Sequence, residues 1–158
     1  MTKWEKATST CAGRSKKSKN DMATLKLEIV TPEAVTYSEE VDMVTLPGVE
    51  GEMGIFPMHV PLMTQIVPGE VAVRKAGQDF FLAVGEGFVE ITGTRVAILT
   101  DMAIKAGDID EAKAEEARKR AEQRLQEKLS DDEVANVSAA LAHSLAQLKV
   151  KRRNRPGA

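Results

Sequence analysis

From Leu25 onward, apolar and polar positions alternate with a period of two. Leu25, Leu27 and Ile29 fall on one face and Lys26 and Glu28 on the other, the pattern of a half-buried strand. Short β-type runs follow at 41–46, 71–74, 80–84, 88–91 and 95–99. Pro68-Gly69, Ala76-Gly77, Gly85-Glu86-Gly87 and Thr92-Gly93-Thr94 punctuate them as turns. Strands this short and closely spaced predict an antiparallel sandwich or barrel. Past Gly107 the period changes, and alanine, glutamate and basic residues take over. Asp108 with Glu111 reads as a capping box, Asp standing in the Ser/Thr role. Ala114, Ala117, Ala121 and Leu125 then recur at three- and four-residue steps. Ser130 with Glu133 marks a second helix start, and Val134, Val137, Leu141, Leu145 and Leu148 carry its stripe. So short a connection sets the two helices antiparallel, and an alanine-rich stripe lets them approach closely. The expected fold is α+β: an N-terminal antiparallel β-sandwich over residues 22–106, followed by a C-terminal antiparallel two-helix hairpin over 107–151. Residues 152–158 form a basic tail. Residues 1–21 form a basic leader without periodicity, expected to be disordered, and Met22 just before the pattern fits a start-site extension.

The sandwich carries enough apolar positions for a core of its own. The hairpin does not: each large apolar side chain it buries contributes about 1.5–3 kcal/mol, against an ordering cost of about 1–2 kcal/mol per residue. Such a hairpin can fold on itself, rest on the sandwich, or open along a partner, and near-balance between such states suits a conformational switch.

The stretch 46–61 (LPGVEGEMGIFPMHVP) interrupts the strand pattern with Gly48, Gly51 and Gly54 among Pro47, Pro57 and Pro61. That density predicts a stiff, sharply shaped loop rather than a helix or a central strand. It carries Glu52, Met53, Ile55, Phe56 and His59, and an ordered loop displaying apolar side chains suits docking on a partner.

Composition narrows the function classes. No apolar run in the 158 residues approaches the roughly 20 needed to span a bilayer. Cys11 is the only cysteine, and His59 and His143 are the only histidines, so no disulfide, metal site or triad takes shape. The net charge of −2 is unevenly laid out. The leader and the tail are basic, whereas residues 22–106 hold five basic and twelve acidic side chains, a net −7. The alternative function, a nucleic-acid-binding module using the basic C-terminal tail, is opposed by this acidic sandwich and by an aromatic content of only 4%.

Several segments now agree in order with one family. They are 51–62 (GEMGIFPMHVPL), Pro68-Gly69, 87–91 (GFVEI), 96–101 (VAILTD) and 142–150 (AHSLAQLKV). Over residues 24–150 the chain resembles the epsilon subunit of the bacterial F-type ATP synthase. The resemblance implies a non-catalytic rotor subunit of the central stalk, active in ATP synthesis and proton transport. The sandwich would sit at the foot of the gamma subunit beside the c-ring, with Glu52, Met53, Gly54, Ile55 and His59 as interface candidates. The hairpin would be able to extend beside gamma, reach the alpha and beta subunits and block ATP hydrolysis. Candidates for that contact are Val137, Leu141, Leu145 and Leu148, with Lys149, Lys151, Arg152 and Arg153. The resemblance also places the chain peripherally on the cytoplasmic face of the bacterial inner membrane, and requires no cofactor. Some members bind a regulatory ATP through Ile or Leu, Asp, two variable residues, Arg and Ala. Here Ile109, Asp110, Lys113 and Ala114 occupy that motif, with Arg120 in register further along. Lysine lacks the planar fork of arginine, so at most weak ATP binding is expected.

Overall fold

The computed structural model describes residues 23–127 and 129–154. The expectations for the leader and for the tail beyond Asn154 lie outside the described residues. Ten strands are followed by two helices: β1 (Leu25–Val30), β2 (Val35–Val41), β3 (Met43–Gly48), β4 (Gly51–Ile55), β5 (Leu62–Ile66), β6 (Gly69–Lys75), β7 (Gln78–Val84), β8 (Gly87–Ile91), β9 (Arg95–Thr100), β10 (Ala103–Lys105), α1 (Glu111–Leu125) and α2 (Asp131–Arg153). The strand order is β10-β7-β6-β3-β5-β8-β9-β1-β2, with β4 paired to β3. Among the described residues, every strand pair is antiparallel except β1 and β9, which run parallel.

The period-two reading of β1 holds: Leu25, Leu27 and Ile29 are fully buried. They share one core with Val41, Val44, Leu46, Ile66, Val71, Val84, Val89, Val96 and Ile98. Strand β2 left little trace in the sequence because most of it faces solvent, with only Tyr37 and Val41 inside.

The expected stiff loop at 46–61 is in large part a hairpin. Strand β3 runs through Gly48 and β4 returns, pairing Leu46 with Met53 and Pro47 with Glu52. The structure reconciles this with the composition in two ways. Gly51 turns the chain at φ 131°, which a side chain would strain. Among the described residues, strand β4 pairs only with β3, and an edge strand tolerates glycine. Pro47 sits where β3 changes partner, between its ladder with β6 and its single pairing to β5. Its carbonyl accepts from Val67 N–H at 3.0 Å, and its missing N–H falls at that break in the ladder.

Asp110, not Asp108, caps α1: its Oδ1 accepts from Ala112 N–H at 3.1 Å and Lys113 N–H at 3.3 Å. Ser130 caps α2 as expected, and the Glu133 carboxylate accepts from the Ser130 N–H at 3.0 Å and hydroxyl at 2.9 Å. Helix α2 continues through Arg153, so Arg152 and Arg153 form its last turn, where cations complement the helix dipole.

The hairpin is folded down, with α2 across β6 and β7. A second small core joins the two parts: Ala83, Ala106, Ile109 and Val150, flanked by Phe81, Met102 and Ile104. The stripes differ from the expected ones. On α1, Ala114 and Ala121 are buried but Ala117 is exposed. On α2, Val137, Ser144, Ala146, Leu148 and Val150 are buried, whereas Val134 and Leu145 are exposed. A helix seated against both another helix and a sheet buries a wider arc than a single stripe describes.

Candidate functional site

Three groups of residues carry the functional expectations. The first lies on the β3–β4 hairpin and the segment after it. Glu52 and Gly54 are exposed and Met53 is half-buried. Ile55, expected on display, is instead fully buried in the sandwich core, because it is the inward position of β4 opposite Val44. The exposed apolar side chains come one turn later, from Phe56, Met58, Val60 and Met63. Met58 is held at φ 66°, unusual for a non-glycine residue, and its N–H donates to the Gly93 carbonyl at 2.7 Å. His59 is half-buried and its Nδ1 donates to the Val60 carbonyl at 2.7 Å. The segment is thus pinned while its apolar side chains face outward.

The second group is the nucleotide motif. Ile109 and Ala114 are buried and serve packing. Asp110 is the cap of α1, and the Lys113 backbone N–H it accepts from holds its carboxyl below the usual carboxylate range. The Lys113 ammonium extends into solvent with Asp110 Oδ2 3.6 Å away. Arg120 pairs with Glu116 on its own helix. None of the five lines the cavity of about 500 Å³ beside the end of α2, which Tyr37, Phe80, Phe81 and Asn154 help to form.

The third group is the basic end of α2, and here the structure supplies partners that the sequence did not. Lys149 Nζ lies 3.7 Å from Glu52 Oε1, linking α2 to the β3–β4 hairpin. Lys151 Nζ donates toward the carbonyls of Ala106 and Gly107 at 3.4 and 3.5 Å. Arg152 is exposed. Arg153 reaches Glu70 of β6 at 2.5 Å and stacks its guanidinium 4.9 Å from the centre of the Phe81 ring. Nearer the middle of α2, His143 Nε2 stands 3.2 Å from Asp101 Oδ2 over Gly85, a position where a Cβ would meet Asp101 Oδ1 at 1.9 Å. Glycine there is what lets helix and turn meet.

The β-sandwich model of the ATP synthase delta/epsilon chain matches residues 24–106, and the long α-helix model of the same chain matches 108–152. The ATP synthase epsilon chain of Herpetosiphon aurantiacus is 46% identical over 133 residues, which cover 83% of this chain and 98% of that one. This chain belongs to the ATP synthase delta/epsilon family. The epsilon chain of Desulforamulus reducens is 43% identical, over 80% of this chain and 96% of its own length. Among solved structures, a chain of the Euglena gracilis mitochondrial ATP synthase aligns at a TM-score of 0.70 and 24% identity, over 80% of each chain, a likeness of fold. Family membership makes the chain a non-catalytic epsilon-type subunit of ATP synthase. Among the described residues, no helix is long and apolar enough to cross a membrane.

Proposed function

We propose that this chain is a rotor subunit of the central stalk of a bacterial F-type ATP synthase, peripheral on the cytoplasmic face of the inner membrane. The sandwich couples c-ring rotation to ATP synthesis, through Glu52, Met53, Gly54 and His59 facing the c-ring and gamma. The hairpin restrains ATP hydrolysis when it leaves the sandwich and extends along gamma toward alpha and beta. The observation that carries this reading is the construction of the α2 seat. The sandwich closes a complete core without the helices, while α2 is held by a small, alanine-rich contact and by polar pairs at its rim. A cover of that kind can separate without unfolding what lies beneath it. The pinned segment with outward Phe56, Met58, Val60 and Met63 supplies an apolar docking edge. ATP acts at most as a weak regulatory ligand, since Lys113 stands where the family motif has arginine.

The test is reconstitution. The chain is titrated into epsilon-depleted bacterial ATP synthase in vesicles, with ATP-driven proton pumping and ATP hydrolysis measured together. Restored coupling and lowered hydrolysis are expected. No binding to the depleted enzyme overturns the assignment, and restored coupling with undiminished hydrolysis, also by a form truncated after residue 106, removes the inhibitory role of the hairpin.

A further inference from the structure

Among the described residues, Glu70 is the buried charged one. It follows the Pro68-Gly69 turn on β6, and its side chain is only 4% exposed. One carboxylate oxygen meets Arg153 at 2.5 Å. The other, Oε2, is buried and receives no hydrogen bond among the described residues. Its ion-pair partner therefore comes from the last turn of α2, 83 positions away in sequence, and from an element that is only the lid of the sandwich. The neighbouring charges are already engaged. Asp79 is held by Arg74 at 2.8 Å, and Lys151 points to backbone carbonyls.

We infer that Arg153 and Glu70 form a charge clasp that sets whether α2 rests on the sheet, with the cost of an unpartnered buried carboxylate as its mechanism. The inference deepens the reading of α2 as a releasable cover and rests on it. The two partners are not equivalent. Arg153 is 56% exposed, and without Glu70 its guanidinium turns to water and keeps its stack on Phe81. Glu70 has no such outlet while α2 covers it, and a buried charge deprived of its partner is strongly destabilising. Removing Arg153 therefore drives α2 off so that Glu70 can be hydrated. Removing Glu70 does little. Removing both replaces the pair by an apolar contact, which in buried settings is often neutral or favourable. This asymmetry separates a clasp from a generic contact, whose loss adds up from either side.

The experiment uses the full chain with Cys11→Ser, and spin labels on the exposed positions Gln78→Cys of β7 and Ala140→Cys of α2. The distance between labels is followed in a urea series below the melting of the sandwich, which β circular dichroism monitors. The parent is expected to show one narrow distance distribution and a late release. Arg153→Met raises the ratio of released to docked α2 at least about tenfold at a given urea concentration, less than the roughly hundredfold or more for breaking a fully buried pair, because Arg153 is itself partly exposed. Glu70→Met shifts it by less than about threefold, and Glu70→Met with Arg153→Met returns it close to the parent. Arg153→Lys, which keeps the charge but loses the planar stack, falls between parent and Arg153→Met. Release of Arg153→Met at the parental urea concentration overturns the clasp. So does a double variant that releases as readily as Arg153→Met. Both readings are made on the isolated chain, so they stand or fall independently of whether the chain assembles into a rotor.

Discussion

Replacing Leu148 by alanine should loosen the packing of α2, whereas the same change at Leu145 should not. The helical spacing alone ranks the two alike. The structure separates them: Leu148 is 4% exposed and Leu145 is 46% exposed. Truncating a buried leucine to alanine costs about 2–5 kcal/mol, depending on how far the site collapses. An element on the outside of a domain collapses easily, so the low end applies, about 2 kcal/mol. At 1.4 kcal/mol per tenfold, that multiplies the released population about thirtyfold. Leu145 already shows half its side chain to water, and its truncation should cost about 1 kcal/mol or less. Hydrogen exchange on the full chain reads this directly, through peptides of α2 and of the β7 strand it covers. Leu148→Ala should speed exchange in both, and Leu145→Ala in neither by more than a few-fold. Equal exchange in the two variants, or faster exchange in Leu145→Ala, would refute the argument from burial.

Met53→Asp places a charge on the half-buried face of β4, and should weaken attachment to the c-ring in reconstituted vesicles while leaving the β circular dichroism melt within a few degrees of the parent. Lys113→Arg should raise ATP affinity measured by calorimetry, and tight binding by the natural chain would contradict the reading of Lys113. The backbone N–H of Ser130 is the first cause that holds Glu133 below the usual carboxylate range. Its folded pKa is depressed, so its stabilisation of the α2 start is present above the ordinary carboxylate pKa of about 4.3 and is lost as pH falls through the folded value. Helical circular dichroism should therefore drop through that window in the parent, and the drop should shrink in Glu133→Gln. Arg152→Gln should weaken inhibition near 0.1 M salt but not near 1 M, where the screening length falls from about 10 Å to about 3 Å.

What could be read from the sequence followed the length scale of each interaction. Strand β1 and the capping pair Ser130–Glu133 are local patterns, and both stand in the structure. The β3–β4 hairpin was masked because glycine and proline mark turns on average, and only the pairing partner shows that Gly54 belongs to an edge strand. Ile55 is hard to place from sequence for the same reason: without a strand there is no inward side to assign it to. The α2 stripe was blurred because Val150 faces the sheet-side core, off the lane of Val137 and Leu141. Glu70–Arg153, Glu52–Lys149 and Asp101–His143 join positions that no single-sequence pattern connects.

Those three pairs also change the meaning of the basic end of α2. Read as a tail, Lys149, Lys151, Arg152 and Arg153 are one block of charge available to an acidic partner. In the docked state they divide. Lys149 faces Glu52, Lys151 closes on two carbonyls, Arg153 covers Glu70, and Arg152 projects into solvent. A partner that attracts this end must compete with the chain's own acidic sandwich for two of the four, and with two backbone carbonyls for a third. Neutralising the whole block then has two opposing effects. It weakens attraction to the partner, and it releases the helix by leaving Glu70 buried without a cation. The exposed pair Lys149–Glu52 contributes little to either and fades with salt. The buried carboxylate is screened far less, so the balance between docking and capture turns on Glu70 at high ionic strength and on Arg152 at low. The acidic residues of the sandwich thus serve as the resting place of the helix, and on the proposed reading release is a choice between internal and external carboxylates.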